Sequence, residues 1–351
     1  MNKYSQFEKI LHRQFLADNT LSNFFFERLL KKSQISTESD NKNHLFITGL
    51  ARSGTTALLN KIYLTKNFAS ILYRHMPFVL SPKLSDLFSK LSNISNDPVE
   101  RDHKDGIHIN TDSPECLDEP FWIKASKDWY SKGFLEVLST DEKYLRSYSN
   151  LLSSFAELQG KNRLLIKNNN NHLRIESLSN FFTKSSFILV FRDPLLHAKS
   201  LLNQHQNFKR LHSIDPFSLE YMNLIGHREF GLNIAPFVYP EPNKNLHLNL
   251  NNNRLSYWLA QWIETYSWIL NSGLPKKRNI NLVCYESLCN DKRVFEKICS
   301  INNIKDEQNQ QNKFIFKLGN SVLSNSEIDS LDIKMINQSR EIYTQLKEFQ
   351  I

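Results

Sequence analysis

The stretch HLFITGLARSGTTALLNKIYL, residues 44–64, sets Gly49 and Gly54 five positions apart, with Arg52, Ser53, Thr55 and Thr56 close to the second glycine. Glycines so placed let successive backbone N–H groups turn inward. A helix starting near Thr55 would add its positive end, and together these make a cradle for an anion. The hydroxyls of Ser53, Thr55 and Thr56 are further donors, and the planar fork of Arg52 suits phosphate oxygens. The nucleotide-loop pattern G-x-x-x-x-G-K-[ST] is met at Gly49, Gly54 and Thr56, but Thr55 stands at the lysine position and the nearest cation, Arg52, lies inside the loop.

A second segment, FRDPLLHAKS (191–200), places Arg192 directly after an apolar run and Ser200 eight residues later. With a helix starting at Pro194, Ser200 lies about two turns in, so the two share a ligand only if it rests along that helix. Two anion sites on one surface suit a nucleotide phosphorylated at both ends.

Positioning these groups requires strands that end at them. Residues 45–48 read as a strand and 55–64 as a helix. FASILY (68–73) reads as a second strand stopping at Arg74, His75 and Pro77, with its end expected beside the loop. RLLI (163–166) and SFILVF (186–191) are strand-like, with helices from 172 and after Pro194, and INLVCYESL (280–288) is a strand running into a turn. Continuous apolar strands alternating with helices predict a single doubly wound α/β domain with a central parallel sheet. Ligands then bind beyond the carboxyl ends of the strands, at 49–56, 74–75, 167–172 and 192–200.

Two amphipathic helices are expected over residues 4–32, packed on the core, and a polar linker over 34–43. The expected division is 1–40 for the N-terminal helices, 41–305 for the main domain with a helical insertion at about 76–160, and 306–351 for a helical tail. The helix at 254–270 carries Trp258, Trp262 and Tyr266 at four-residue spacing, read as core. The 351 residues include 24 phenylalanines, ample for a packed core, and the net charge of +8 favours anionic ligands. Cys116, Cys284, Cys289 and Cys299 show no zinc spacing and read as reduced thiols. Charges interrupt every apolar stretch near the N-terminus, so a cytoplasmic protein without a membrane segment is expected.

GLARSGTT followed far downstream by FRDPLLHAKS resembles the sulfotransferases that use 3′-phosphoadenosine 5′-phosphosulfate (PAPS). The resemblance runs from residue 45 to about 290, through Lys167 in LLIKNNNNHLRIESL and through VCYESL, although its motifs are short. It implies that Arg52, Ser53, Gly54, Thr55 and Thr56 bind the 5′-phosphosulfate and that Arg192 and Ser200 bind the 3′-phosphate. Arg52 and Lys167 would stabilise the leaving phosphate. One departure is Asn169, where the family commonly has proline two residues after the lysine.

The resemblance also accounts for the moved cation. A kinase loop holds Mg²⁺ between highly charged phosphates; sulfonyl transfer needs no such metal, so a side chain beside the bridging oxygen serves directly. An acceptor alcohol must lose a proton, and His75 is the expected base. The alternatives are His108, Asp112, Glu115 and Glu119 in HINTDSPECLDE (108–119), which resembles an acceptor-side insertion, and GHREFG (226–231) reads as a further part of the acceptor side. The expected acceptor is a carbohydrate, glycolipid or small alcohol, with an anionic glycan among the candidates. Two other classes compete: a P-loop kinase or NTPase, opposed by the absent lysine and by the lack of an acid suited to Mg²⁺ at the end of either core strand, where only Asp193 is close, and a non-enzymatic binder of anionic glycans. No basic run interleaved with aromatics points to nucleic acid.

Overall fold

The computed structural model describes residues 4–35, 42–91, 99–100, 108–115, 117–240, 245–305, 316–318 and 322–351. Four strands form a wholly parallel sheet: β1 (Leu45–Thr48), β2 (Leu165–Lys167), β3 (Ser186–Phe191) and β4 (Ile280–Cys284), in the order β2-β1-β3-β4. Leu45 pairs with both Leu165 and Ser186, and Leu189 with Leu282, so the strand ends carrying Thr48, Lys167 and Phe191 rise on one side. β1 and β2 are buried along their whole length, as are β4 and all of β3 after Ser186, which explains why they read as unbroken apolar runs.

The helices that matter for the site are α1 (Gln6–Leu16), α2 (Thr20–Ile35), α3 (Thr55–Tyr63), α4 (Glu119–Ala125), α5 (Glu142–Leu158), α6 (Asn171–Phe181), α7 (Pro194–Ile214), α8 (Leu255–Asn271), α9 (Tyr285–Asn290) and α10 (Ile333–Glu348). α7 begins where the sequence dictates: Pro194 occupies its first turn, and the Asp193 side chain accepts from Leu196 N at 2.8 Å. Trp258, Trp262 and Tyr266 of α8 are fully buried, and the Tyr266 hydroxyl donates to Val190 O in β3 at 3.2 Å. α10 packs on α8 and on β4. No helix among the described residues is long and apolar enough to cross a membrane.

Two local expectations change. FASILY contributes only isolated bridges, Ala69 to Leu164 and Leu72 to Pro114, before a 3-10 turn at Tyr73–His75. Ala69 N donates to Arg163 O and Leu165 N to Ala69 O, both at 2.9 Å, so this segment flanks β2 and β2 separates it from β1. The end of 68–73 therefore does not stand beside the glycine loop. After β4, the expected turn is the short helix α9.

Candidate active site

The glycine loop spans the end of β1 and the start of α3. Gly49 has φ 142°, and a Cβ there would lie 2.3 Å from Val190 O; Gly54 has φ 104°, and a Cβ would lie 2.2 Å from the Tyr285 ring. Both positions exclude any larger residue. Arg52 also takes a left-handed conformation, φ 69°, which costs roughly 1–2 kcal/mol outside glycine. Three side chains from FRDPLLHAKS offset that cost by holding the loop. Arg192 Nη1 donates to Arg52 O at 3.2 Å, His197 Nε2 donates to Ala51 O at 2.8 Å, and Ser200 Oγ accepts from Arg52 Nε at 3.3 Å. The two motifs are thus one structure. Burial, with the Arg192 charge adding to it, lowers the His197 pKa to about 3, so its ring is a neutral donor. Ser53 Oγ is buried and has no hydrogen-bond partner among the described residues, which fits a loop built to receive an anion.

Arg192 is set by the segment after β4. Glu286 Oε1 lies 3.8 Å from Arg192 Nε, and Glu286 Oε2 accepts from Asp193 N at 3.2 Å and from the Tyr343 hydroxyl of α10 at 3.1 Å. The guanidinium stands 5.9 Å from the centre of the Tyr285 ring. Asp193, two residues after β3, is occupied as the cap of α7.

Next to the loop, beyond β2, Glu115, Leu117, Glu119, Lys167, Asn168, Asn169, Asn170, His227 and Glu229 line a cleft. Lys167 Nζ is 3.3 Å from Glu115 Oε1, with both side chains buried. The asparagine run after Lys167 ties this cleft to the loop. The Asn169 side-chain oxygen accepts from Thr55 Oγ1 at 3.3 Å, and its carbonyl accepts from Thr48 Oγ1 at 3.2 Å and from His172 Nδ1 at 2.7 Å. The side chain and carbonyl of Asn169 thus fix the turn after β2 through hydrogen bonds.

Glu119 holds the turn from below. It pairs with Arg174, itself 1 % exposed, and accepts from Tyr130, Asn168 and Asn170. Asp118 accepts from Asn168 at 3.0 Å and from Tyr148, and burial, together with the Glu119 charge, raises its pKa to about 6.

The other sequence candidates lie apart from these residues. His75 is buried against Phe155, its Nδ1 accepts from Leu72 N at 3.0 Å, and it is not among the residues that line the cleft. Burial lowers its pKa to about 4. The reason for its displacement is the edge position of 68–73, outside β2. Asp112 pairs with Arg74, and His108 is exposed in a two-residue strand paired with Val99–Glu100; neither lines the cleft. Cys116 falls outside the described residues.

The profile of the sulfotransferase family matches residues 44–229, from the start of β1 through the cleft residues His227 and Glu229. That is more than half of the chain. The chain belongs to the sulfotransferase family. Among solved structures, sulfotransferase STF9 from Mycobacterium avium is similar over 98 % of this chain and 86 % of its own, at 13 % identity and a TM-score of 0.50. Sulfotransferase STF1 from Mycobacterium tuberculosis H37Rv is similar over 81 % of this chain and 74 % of its own, at 12 % identity and a TM-score of 0.44. At 13 % identity the likeness to STF9 concerns the fold. No curated protein matches the chain.

Within this sulfotransferase framework, sequence reasoning missed His197, Glu286, Tyr343 and Arg174. His197 carried a usable signal: it stands three residues before Ser200, on the same helical face. Glu286 lay inside VCYESL without an assigned partner. Tyr343 and Arg174 act through contacts made only in three dimensions.

Proposed function

We propose that the chain transfers a sulfonyl group from PAPS to a hydroxyl or amino group of a carbohydrate, glycolipid or small alcohol. The observation that carries this reading is the joining of the two anion motifs: Arg52, Arg192 and Ser200 meet directly, with Lys167 at the adjacent strand end. The loop N–H groups, Ser53, Thr55 and Thr56 would bind the 5′-phosphosulfate. Arg192 and Ser200 would bind the 3′-phosphate, with Glu286 and Tyr343 as positioning residues behind Arg192.

Among the acceptor-side candidates the geometry favours Glu115 as base, since it lines the cleft and touches Lys167. The acceptor oxygen attacks sulfur and its proton passes to Glu115. The bond between sulfur and the bridging oxygen breaks, and adenosine 3′,5′-bisphosphate leaves with the electron pair. Arg52 and Lys167 meet the charge that grows on its 5′-phosphate, which is where fixed cations lower a barrier most. On this reading the transfer domain spans residues 41–305, with the acceptor side in the insertion.

Calorimetry with adenosine 3′,5′-bisphosphate and with ATP and Mg²⁺ tests the proposal. Metal-independent binding of the bisphosphate alone is expected. Tighter binding of ATP with Mg²⁺, or no binding of either, returns the chain to the kinase or non-enzymatic class.

A further inference from the structure

Charges around the cleft are not balanced alike. Lys167 meets Glu115, and Glu119 is met by Arg174 behind the lining. Glu229 lines the same cleft, half-buried, and its carboxylate has no ion pair among the described residues. The neighbouring Arg228 does not neutralise it. That side chain is directed away, with Nη1 donating to Tyr130 O at 2.7 Å and to Lys132 O at 3.3 Å.

A second, independent observation points the same way. Asn170 is 2 % exposed and lines the cleft; its Nδ2 donates to Glu119 Oε1 at 3.0 Å, while its Oδ1 has no hydrogen-bond partner among the described residues. The uncompensated charge is therefore negative, and the buried atom left unmet is an acceptor. A buried acceptor without a partner costs about 1–3 kcal/mol, a deficit that a ligand N–H or O–H removes.

We infer that the acceptor is a polyhydroxyl compound bearing an ammonium group, with Glu229 reading the ammonium and Asn170 Oδ1 accepting from it or from a neighbouring hydroxyl. This rests on the cleft being the acceptor site and deepens that reading. It removes the anionic glycans from the expected acceptors, because a carboxylate or sulfate beside Glu229 would meet a like charge at low dielectric. A half-buried carboxylate without an ion pair among the described residues, in a cleft whose other carboxylates are paired, is a selectivity device: it adds little to the fold and discriminates between ligands by sign.

The test uses three oligosaccharides of the same length: a glucosamine tetramer, its fully N-acetylated counterpart and tetragalacturonate. Binding to the full chain without donor is measured by calorimetry at low salt and at about pH 6, where the amines are largely charged. The expected result is that the glucosamine tetramer binds about tenfold or more tighter than the N-acetylated one, and that Glu229→Gln removes the preference. Glu229→Lys should reverse it in favour of tetragalacturonate. Equal or tighter wild-type binding of the neutral or acidic tetramer, a preference that survives Glu229→Gln, or binding of none of the three overturns the inference. Because no donor is present, failure of the PAPS assignment, seen in the bisphosphate titration, is distinguishable from failure here.

Discussion

At the scale of single residues, the proposed mechanism divides the cations between tasks. On that proposal Arg52 meets the charge growing on the leaving phosphate, so Arg52→Ala should lower kcat by about 10²–10³ with a small change in bisphosphate affinity. Arg192, backed by Glu286, should act mainly in the ground state. Arg192→Ala is expected to weaken bisphosphate binding by about ten- to a hundredfold in calorimetry, as suits the loss of a charge-assisted contact. The base is separable from both. Glu115→Gln should cut transfer by about 10²–10⁴ and leave bisphosphate binding within a few-fold of wild type. His75→Ala should retain transfer and lose about 1–3 kcal/mol of stability, from the removal of a buried ring packed on Phe155. If His75→Ala is inactive but folded by circular dichroism, the base assignment is wrong.

At the scale of elements, the loop between β1 and α3 is held by contacts that tolerate no added atom at Gly54, 2.2 Å from the Tyr285 ring once a Cβ is placed. Gly54→Ala should lower the melting temperature by several degrees, about 1–3 kcal/mol, and raise the bisphosphate Kd by at least about tenfold. The loop, β1, β3 and the start of α7 were legible in the sequence because each depends on neighbours in the chain: an apolar run, two glycines, Asp-Pro at a helix start. The edge segment 68–73 was misread for a physical reason. Its apolar residues are buried like those of a central strand, yet only Ala69 and Leu72 make sheet bridges. Burial writes a composition; pairing does not. The expected place of His75 beside the loop followed from that reading, whereas the contact of Glu115 with Lys167, 52 positions away, had no local signal in the sequence. The brace of Glu119 by Arg174 spans 55 positions and left no local trace.

At the scale of the whole molecule, buried titratable groups set how stability responds to acid. Burial lowers the pKa of His75, His172 and His205 to about 4 and that of His197 to about 3, against 6.5 for the free side chain. For these the unfolded chain binds protons that the folded chain refuses, so stability is lost as pH falls from 6.5 towards 4. Asp118 has the opposite sign: its folded pKa of about 6 lies above the ordinary 3.8, so it favours the folded state at low pH and that contribution is lost as pH rises from about 4 through 6. His12 and His212 are lowered as well, so the histidines outweigh Asp118 and leave a net loss of stability on acidification, expected as a falling melting temperature below pH 6.5. Asp118→Asn should steepen that fall, since it removes the opposing group; a shallower profile in the variant refutes the assignment. Time acts on the same molecule through chemistry rather than acid. Asn169 presents its side-chain oxygen to Thr55 at the mouth of the glycine loop, and the amide is one hydrolysis step from a carboxylate. On the proposed donor assignment, deamidation during storage, or a single-nucleotide change from Asn to Asp, would put a fixed negative charge beside the donor's own anionic group, leaving a chain that folds and ages into an inactive form.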